Sequence, residues 1–252
     1  MIKYDGSRYF GWQKQDNVPT VQAEVETALA KVADHEVIVH CSGRTDSRVH
    51  AFGQVIHFDT ESCRETKAWI LGANSFLPDD IRVYFAKEVT DDFHARFSAI
   101  LRHYRYTIYN QKIAPVFMRK FATLHKYHLD AELMHEAAKV LLGELDFSAF
   151  RGSGCQSLSA MRNVTLLNVK REENIVTIDI QANAFLLHMV RNIVGSLFEV
   201  GDGRRPVGWI KEVLLSRDRK KAGVTARPQG LALVKTIYPE KFKILVVSDP
   251  HC

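Results

Sequence analysis

The sequence predicts an α+β protein built from two related domains. In both halves, short runs of alternating apolar and polar residues, typical of half-buried strands, are interleaved with apolar residues at helical spacing. Strand patterns follow one another as often as they are followed by helices, which favours antiparallel sheets. The chain has no G-x-G-x-x-G or Walker phosphate loop, which argues against a nucleotide cofactor.

The first half contains two predicted helices and several short strands. Pro19-Thr20 precedes the first helical pattern, and Pro78 follows the second, as expected at helix boundaries. The predicted elements are a helix at 21–32, strands at 36–41 and 54–58, a helix at 67–75 and a strand at 81–89. The acidic pair Asp91-Asp92 interrupts the pattern and marks a candidate boundary between the two halves.

The second half repeats this mixture without detectable sequence identity to the first. Its predicted elements are a strand at 103–109, a helix capped by Asp130, strands at 162–170 and 175–181, helices at 186–200 and 207–215, and a strand at 231–238. We therefore expect an N-terminal domain at 1–97, a C-terminal domain at 98–245 and a tail at 246–252.

Composition is that of an ordinary soluble globular protein of 252 residues, 46% hydrophobic and 25% charged. Lys and Arg (34) exceed Asp and Glu (29), and the basic residues cluster at 96–105 and 204–227. Such clustering favours a polyanionic partner, although solvated basic faces remain the alternative. The sequence predicts a protein of the reducing cytoplasm. Its four cysteines are scattered, and it has no signal region and no apolar run long enough to span a membrane.

The loop S-G-R-T-D-S-R-V-H-A at 42–51 carries the strongest chemical signal. It places Asp46 between Arg44 and Arg48, with His50 and His57 close in sequence. Neighbouring positive charge keeps a carboxylate ionised, which suits a nucleophile or base better than a general acid. The alternative is that Asp46 caps a turn or pairs with Arg44 at the surface.

Five motifs together resemble one known family. They are Y-D-G-S-R-Y-F-G-W-Q-K-Q (4–15), G-R-T-D-S-R-V-H-A-F-G-Q (43–54), D-D-F-H-A-R-F-S-A (91–99), R-H-Y-R-Y (102–106) and N-A-F-L-L-H-M-V-R-N-I-V-G (183–195). In this order they resemble the tRNA pseudouridine synthase A family, which isomerises uridines 38–40 in the anticodon arm of tRNA. The likeness runs from residue 4 to about residue 238.

The resemblance implies a pseudouridine synthase fold, in which the antiparallel sheets of two α+β domains join into one extended sheet beside a basic RNA-binding cleft. It also implies a homodimer, a tRNA substrate, and no cofactor, metal or membrane association. By the same resemblance Asp46 is the nucleophile, Tyr104 packs on the target base, and Arg191 is the cation that pairs with Asp46.

The residues themselves allow plainer interpretations. Tyr in an alternating strand usually serves packing, and Arg191 in an apolar helix either needs a carboxylate partner or reaches solvent. Arg96, Arg102 and Arg105 suit phosphate contacts, as do Arg44 and Arg48 beside Asp46. We also expect Phe150-Arg151, just before Gly152-Ser153-Gly154, to form a loop that contacts RNA.

Ser47-Arg48 departs from the family pattern, which usually has Ala-Gly after the catalytic Asp. If that position requires a positive φ, Arg48 strains the loop by about 1–3 kcal/mol. Alternatively, Arg48 adds a phosphate contact. The first strand is also shorter than in the family, or the true start lies upstream.

Three functions follow from these residues. The first is isomerisation of tRNA uridines. The second is RNA binding by a protein of the same fold that has lost activity, for which Ser47-Arg48 gives the hint. The third is a metal-dependent hydrolase that uses Asp46, His50 and His57, although histidines in strands and loops more often form hydrogen bonds than bind metals.

Overall fold

The computed structural model describes residues 1–244, which form two compact α+β units. Unit 1 comprises residues 1–102 and the segment from Ala232 onward, and unit 2 comprises residues 103–231. The α+β class predicted from the sequence is confirmed. The domain boundaries at 97/98 and 245/246 stay predictions, and the tail at 246–252 lies outside the described residues.

Unit 1 contains two helices and short strands. The helices are α1 (Val21–Ala33) and α2 (Thr66–Phe76). The strands are β1 (Ile2–Tyr4), β2 (His40–Cys41), β3 (His50–Gln54), β4 (Ile56–His57) and β5 (Ile81–Val83). Most of β11 (Leu231–Ile237), the last strand among residues 1–244, also belongs to this unit.

The sheet of unit 1 has the order β5-β1-β3-β11, and β2 pairs with β4 in a separate antiparallel ribbon. β1 is antiparallel to β3 and β5, whereas β11 is parallel to β3. Antiparallel sheets were expected, and the β3–β11 pair departs from that expectation. A hairpin turn fixes strand direction only for neighbours along the chain, and β11 arrives from far downstream, so no local pattern predicts its direction.

Unit 2 contains three helices and five strands. The helices are α3 (Ala131–Ala138), α4 (Met189–Gly201) and α5 (Trp209–Ser216). The strands are β6 (Leu101–Asn110), whose first two residues count in unit 1, β7 (Thr123–His125), β8 (Gly143–Asp146), β9 (Met161–Glu172) and β10 (Ile175–Ala182).

The sheet of unit 2 has the order β6-β10-β9-β8, with β7 parallel to β6 at one edge. Glu173 and Asn174 form the two-residue turn between β9 and β10, and Glu173 adopts a left-handed φ of +50°. Every second residue of β6 is buried, as the alternation predicts. No helix among residues 1–244 is both long and apolar enough to cross a bilayer.

Several element boundaries differ from the sequence expectation. β5 ends at Val83 instead of Val89, and α4 begins at Met189 instead of Leu186 because His188 adopts a left-handed φ of +59° just before it. β7 and β8 were not predicted. Asp130 caps α3 as expected, since its carboxylate accepts hydrogen bonds from the backbone N–H groups of Glu132 and Leu133 at 3.0 Å each.

Candidate active site

Asp46 opens a tight turn in the loop between β2 and β3. The backbone N–H of Val49 donates to the carbonyl oxygen of Asp46 at 3.1 Å, which closes the turn. Asp46 is half-buried, whereas Ser47 and Arg48 are exposed. The turn therefore places Asp46 at the rim of unit 1, partly shielded by the protein and still accessible to solvent.

Hydrogen bonds from distant segments fix the loop that precedes Asp46. The backbone N–H of Trp12 donates to the carbonyl oxygen of Thr45 at 3.0 Å, and the Thr45 hydroxyl shares a 2.8 Å hydrogen bond with the Tyr4 hydroxyl. On the other side, Gln54 Nε2 donates to the carbonyl oxygen of Gly43 at 2.6 Å. Since these partners are themselves buried, the loop is held as a rigid unit.

Two glycines allow the N-terminal segment to lie against this loop. A Cβ added at Gly6 would stand 2.0 Å from the carbonyl oxygen of Val49, and one added at Gly11 would stand 2.9 Å from that of Thr45. Gly11 also has a φ of +99°, which side chains disfavour. Both glycines lie in the first of the five motifs, so part of that motif serves to support the Asp46 loop.

Arg102 anchors the first residue of the loop, Ser42, through hydrogen bonds to its backbone. Its Nε and Nη2 donate to the carbonyl oxygen of Ser42 at 3.3 and 3.1 Å, and its Nη1 donates to that of Ala99 at 3.2 Å. Nη2 also donates to the carbonyl oxygen of Arg96. Arg102 is 9% exposed, so these bonds give it a positioning role that the sequence did not indicate. Its phosphate contact stays a prediction.

Arg48, which stands where the family usually has glycine, adopts the left-handed backbone conformation. Its φ is +64°, at the third position of the Asp46 turn, where a turn of this type favours glycine. Two hydrogen bonds to the carbonyl oxygen of Tyr9 hold it there, from the Arg48 N–H at 3.2 Å and the Ser47 hydroxyl at 3.3 Å. The loop thus stores backbone strain of about 1–3 kcal/mol beside Asp46.

Arg44 and Arg96 supply positive charge next to the loop. Both are exposed, and neither forms an ion pair with any carboxylate of the described chain. Burial raises the pKa of the Cys41 thiol to about 12, and the charges of Arg44 and Arg96 oppose that rise. Both guanidinium groups therefore lie near Cys41, and this buried thiol is protonated and inert.

In unit 2, Tyr104 lies on the buried face of β6. It is 8% exposed, and its ring contacts that of Phe185 edge to face, with centroids 5.1 Å apart and planes at 85°. Phe185 belongs to the motif at 183–195, yet its position in that motif gave no sign that it would support Tyr104. The structure shows the packing role of Tyr104, and its stacking on the target base stays a prediction.

Arg191 lies in the first turn of α4. Its Nε donates to the carbonyl oxygen of Ala226 at 2.8 Å. Burial raises the pKa of the Tyr106 hydroxyl, and the charge of Arg191 opposes that rise, so the guanidinium lies close to Tyr106. Tyr106 and Tyr104 share one face of β6, so Arg191 and Tyr104 lie on the same side of this sheet.

Arg105 lies on the opposite face of β6 from Tyr104. Its Nε donates to Asp179 Oδ1 at 2.9 Å, and His103 Nε2 contacts the same oxygen at 2.7 Å. Burial raises the pKa of Asp179, but these two hydrogen bonds outweigh it and the pKa lies below its usual value. Tyr104 and Arg191 therefore lie on one side of the sheet of unit 2 and Arg105 lies on the other. The phosphate contact of Arg105 stays a prediction.

Three further residues discussed from the sequence form hydrogen bonds with the backbone. Arg151 Nη2 donates to the carbonyl oxygens of Cys155 and Ser157 at 2.7 Å each, which folds the loop after Phe150. His50 and His57 accept backbone N–H groups on Nδ1 at 3.0 and 3.1 Å. Within residues 1–244, no group of three or more His, Cys, Asp or Glu side chains is placed to hold a metal ion.

A rigid loop that presents a half-buried carboxylate, in a unit with exposed arginines, suits an enzyme that acts on an anionic substrate. The family model for tRNA pseudouridine synthase matches residues 1–98 and 137–239. The chain therefore belongs to the tRNA pseudouridine synthase family, isomerases that convert uridine into pseudouridine.

Curated relatives cover nearly the whole chain. It is 55% identical to tRNA pseudouridine synthase A of Actinobacillus pleuropneumoniae serotype 3 (strain JL03) and 54% identical to that of Shewanella woodyi (strain ATCC 51908 / MS32), over 96% of this chain and 93% of each relative. With the Shewanella amazonensis (strain ATCC BAA-1098 / SB2B) protein it shares 53% identity over 98% of this chain and 95% of the relative.

A solved structure, the crystal structure of a Cbf5-Nop10-Gar1 complex, contains a chain similar to this one at a TM-score of 0.38 and 10% identity. The likeness covers 94% of this chain and 57% of that chain. At this TM-score, the similarity adds nothing to the family assignment made from the sequence.

Proposed function

We propose that this protein isomerises uridines 38–40 in the anticodon arm of tRNA, with Asp46 as the nucleophile and without a cofactor. The observation that carries the proposal is the Asp46 turn. Buried hydrogen bonds from distant parts of unit 1 hold it, while Arg44 and Arg96 stand nearby without carboxylate partners in the described chain. Such pre-organisation suits a group that must meet a reacting atom in a fixed geometry.

The chemistry needs little else. Conversion of uridine to pseudouridine breaks the bond between N1 and C1′, turns the uracil and forms a bond between C5 and C1′. The hydrogen on C5 is lost as a proton and N1 gains one, so nothing is oxidised or reduced. An ionised carboxylate can assist by adding to ribose C1′ or to pyrimidine C6. Both routes begin with the same side chain.

Tyr104 and Arg191 have the roles that the family resemblance implies. The target uridine must leave its stack, which costs a few kcal/mol, and stacking on Tyr104 returns about 1–3 kcal/mol of this. Arg191 is the cation that pairs with the Asp46 carboxylate. Exposed arginines, among them Arg44, Arg48 and Arg96, contact phosphates of the anticodon arm.

The remaining parts of the proposal concern the setting. We infer a cytoplasmic homodimer that binds tRNA, because the family resemblance implies two copies and the substrate is a cytoplasmic RNA. The names of the curated relatives support tRNA as the substrate class.

The test compares the wild-type protein with Asp46→Asn on an unmodified tRNA transcript, in the presence of EDTA. Pseudouridine is mapped by position. We expect the wild type to modify uridines 38–40, and Asp46→Asn to lose turnover while its Kd for the transcript stays within a few-fold, since phosphate contacts survive. Asp91→Asn, which changes an exposed carboxylate of the same unit, is the matched control and keeps full activity.

The outcomes separate the rival functions. Modification elsewhere in the tRNA would refute the assignment to uridines 38–40, and an active Asp46→Asn would refute the nucleophile. If EDTA abolished turnover, the reaction would depend on a metal ion. Binding without turnover by the wild type would identify an inactive RNA-binding protein, for which the strained Arg48 is the structural argument.

A further inference from the structure

The rings of four residues of unit 1, His40, His57, His94 and Phe97, pack into a cluster that reaches the protein surface at Phe97. The rings of His40 and His57 are stacked with centroids 5.0 Å apart, those of His57 and His94 meet edge to face at 4.5 Å, and those of His40 and His94 are 5.5 Å apart. The rings of His94 and Phe97 are tilted against each other with centroids 4.3 Å apart. We call this cluster the His–Phe stack. Phe97 at its end is 75% exposed. A large apolar ring supported from behind and open in front can receive another flat ring.

Backbone hydrogen bonds hold the stack in place. Nδ1 of His57 accepts the N–H of Ala95 at 3.1 Å. Nδ1 of His94 accepts the N–H groups of Arg96 and Phe97 at 3.1 and 3.3 Å. The ring of His94 therefore fixes the segment that carries Phe97. A ligand that stacks there meets a rigid surface and does not need to order it.

The rings of His57 and His94 are neutral near pH 7. Burial is the largest effect that lowers the pKa of both residues. Coulombic interactions with His40 and His94 at His57, and with His40 and Arg96 at His94, lower the pKa further, and Asp59 partly opposes this at His57. Neutral imidazole and phenyl rings offer π faces that accept any nucleobase.

One guanidinium group lies beside the exposed ring of the stack. That of Arg96 is 5.6 Å from the centroid of the Phe97 ring. A second, that of Arg44, lies near Cys41, the neighbour of His40. Neither arginine has a carboxylate ion-pair partner in the part of the chain that the structure describes. An aromatic face combined with uncompensated guanidinium groups matches a single-stranded nucleic acid better than an apolar protein surface.

Arg102 joins the stack to the Asp46 loop. Its guanidinium donates both to the carbonyl oxygen of Arg96, beside Phe97, and to that of Ser42, where the loop begins. Since one buried side chain holds both segments, the stack and the loop keep a fixed relation within unit 1.

We propose that Phe97, backed by the His–Phe stack, is a second nucleobase site that binds an unpaired base of the RNA substrate other than the target uridine. Arg96 and Arg44 contact the phosphates of that nucleotide. The inference rests on the proposed action on tRNA, and it adds a specificity-determining contact outside the reacting atoms.

The experiment replaces Phe97 with Trp and follows its fluorescence while an unmodified tRNA transcript is added. We expect saturable quenching beyond that of the wild-type tryptophans, because a base stacks on the new indole. Phe97→Ala should weaken transcript binding about 5- to 150-fold, the equivalent of about 1–3 kcal/mol for one stacked base. It should raise KM, leave kcat at saturating tRNA within about twofold, and be rescued by Phe97→Tyr.

Phe117 provides the matched control, since it is 94% exposed in unit 2 and lies outside the stack. Phe117→Trp and Phe117→Ala should show neither quenching nor weaker binding. The proposal is refuted if Phe97→Ala binds the transcript within twofold of wild type, if both tryptophan variants quench alike, or if Phe97→Ala changes only the sedimentation of a protein dimer. If the wild type forms no pseudouridine but Phe97→Ala still weakens binding of the transcript, this site is supported and the proposed catalysis is refuted.

Discussion

The guanidinium of Arg102 donates two hydrogen bonds to one carbonyl oxygen, that of Ser42, from Nε at 3.3 Å and from Nη2 at 3.1 Å. Ser42 begins the loop that presents Asp46, and it lies 60 residues before Arg102 in the sequence. A planar group with several donors can hold this oxygen together with those of Ala99 and Arg96. Lysine offers a single nitrogen and cannot reproduce the arrangement.

Arg102→Lys should therefore destabilise the protein and misplace Asp46. Leaving buried carbonyl oxygens without donors costs about 1–3 kcal/mol each, so we expect the free energy of unfolding to fall by about 2 kcal/mol or more. We expect kcat to fall about tenfold or more, because small shifts of a reacting group are costly. Urea denaturation and single-turnover kinetics measure the two effects.

Arg217→Lys is the control for that substitution. Arg217 is an exposed arginine that pairs with Asp146 at 3.1 Å, and such surface pairs contribute little, about 0–1 kcal/mol. If Arg102→Lys unfolded at the same urea concentration as this control, the anchoring role assigned to Arg102 would be wrong.

Arg48→Gly should stabilise the Asp46 turn while weakening RNA binding. The variant relieves a φ of +64° and removes one cation. We expect the free energy of unfolding to rise by about 1 kcal/mol, since the relieved strain exceeds the entropy that glycine adds to the unfolded chain. We expect the slope of log Kd for tRNA against log salt concentration to decrease by about the contribution of one phosphate contact.

Arg48→Ala separates the two effects, because it removes the charge and keeps the Cβ. It should weaken tRNA binding as much as Arg48→Gly and leave the free energy of unfolding near the wild-type value. Equal stability of the Gly and Ala variants would mean that the left-handed conformation costs nothing at this position.

Stability should decrease as the pH is lowered below about 6.5, because the His57 and His94 rings resist protonation in the folded state. Burial lowers the pKa of each below the ordinary value of 6.5. The unfolded chain then binds more protons than the folded chain, so the free energy of unfolding falls as the pH drops from 6.5 toward the folded pKa values. Above 6.5 both states are neutral and this contribution is complete.

His94→Asn tests this pH dependence. Asparagine Oδ1 can accept the backbone N–H groups of Arg96 and Phe97 in place of Nδ1 and does not titrate. We expect a shallower slope of unfolding free energy against pH between 5 and 7, measured by urea denaturation. An unchanged slope would show that His94 is protonated equally in the folded and unfolded states.

The sequence predicted the elements whose patterns are local. α1, β6 and the β9–β10 hairpin follow from apolar spacing and turn residues, and the Asp130 cap follows from one side chain and its next three residues. The positive φ at Arg48 was one of the possibilities that the replacement of glycine left open, and the structure shows it. Each of these depends on interactions within a few residues, which is what a periodic pattern reports.

The rest depends on contacts between distant residues. The residues next to Arg102 in the sequence do not indicate that it binds the carbonyl oxygen of Ser42. An arginine that contacts phosphate at the surface and a buried arginine that holds backbone carbonyls can have the same sequence neighbours. The parallel pairing of β11 with β3 and the contact of Phe185 with Tyr104 arise in the same way. The family motifs marked these positions as a set without indicating which residues support others.

Tyr104 offers a test that separates support of the fold from contact with the base. Tyr104→Phe keeps the edge-to-face contact with Phe185 and removes only the hydroxyl, so the free energy of unfolding should change by less than about 1 kcal/mol. Turnover should persist at a reduced rate. Tyr104→Ala removes a ring that is 8% exposed and should cost about 3–5 kcal/mol of stability.

Phe185→Leu completes the comparison, because it loosens the support of Tyr104 without touching a base-stacking ring directly. We expect a smaller stability loss than in Tyr104→Ala and a lower kcat with tRNA affinity near wild type, since the tyrosine ring is less firmly held. Thermal unfolding and steady-state kinetics on the unmodified transcript provide both readouts. If Tyr104→Ala kept wild-type kcat while losing stability, Tyr104 would be a packing residue only, and its assignment to the target base would be wrong.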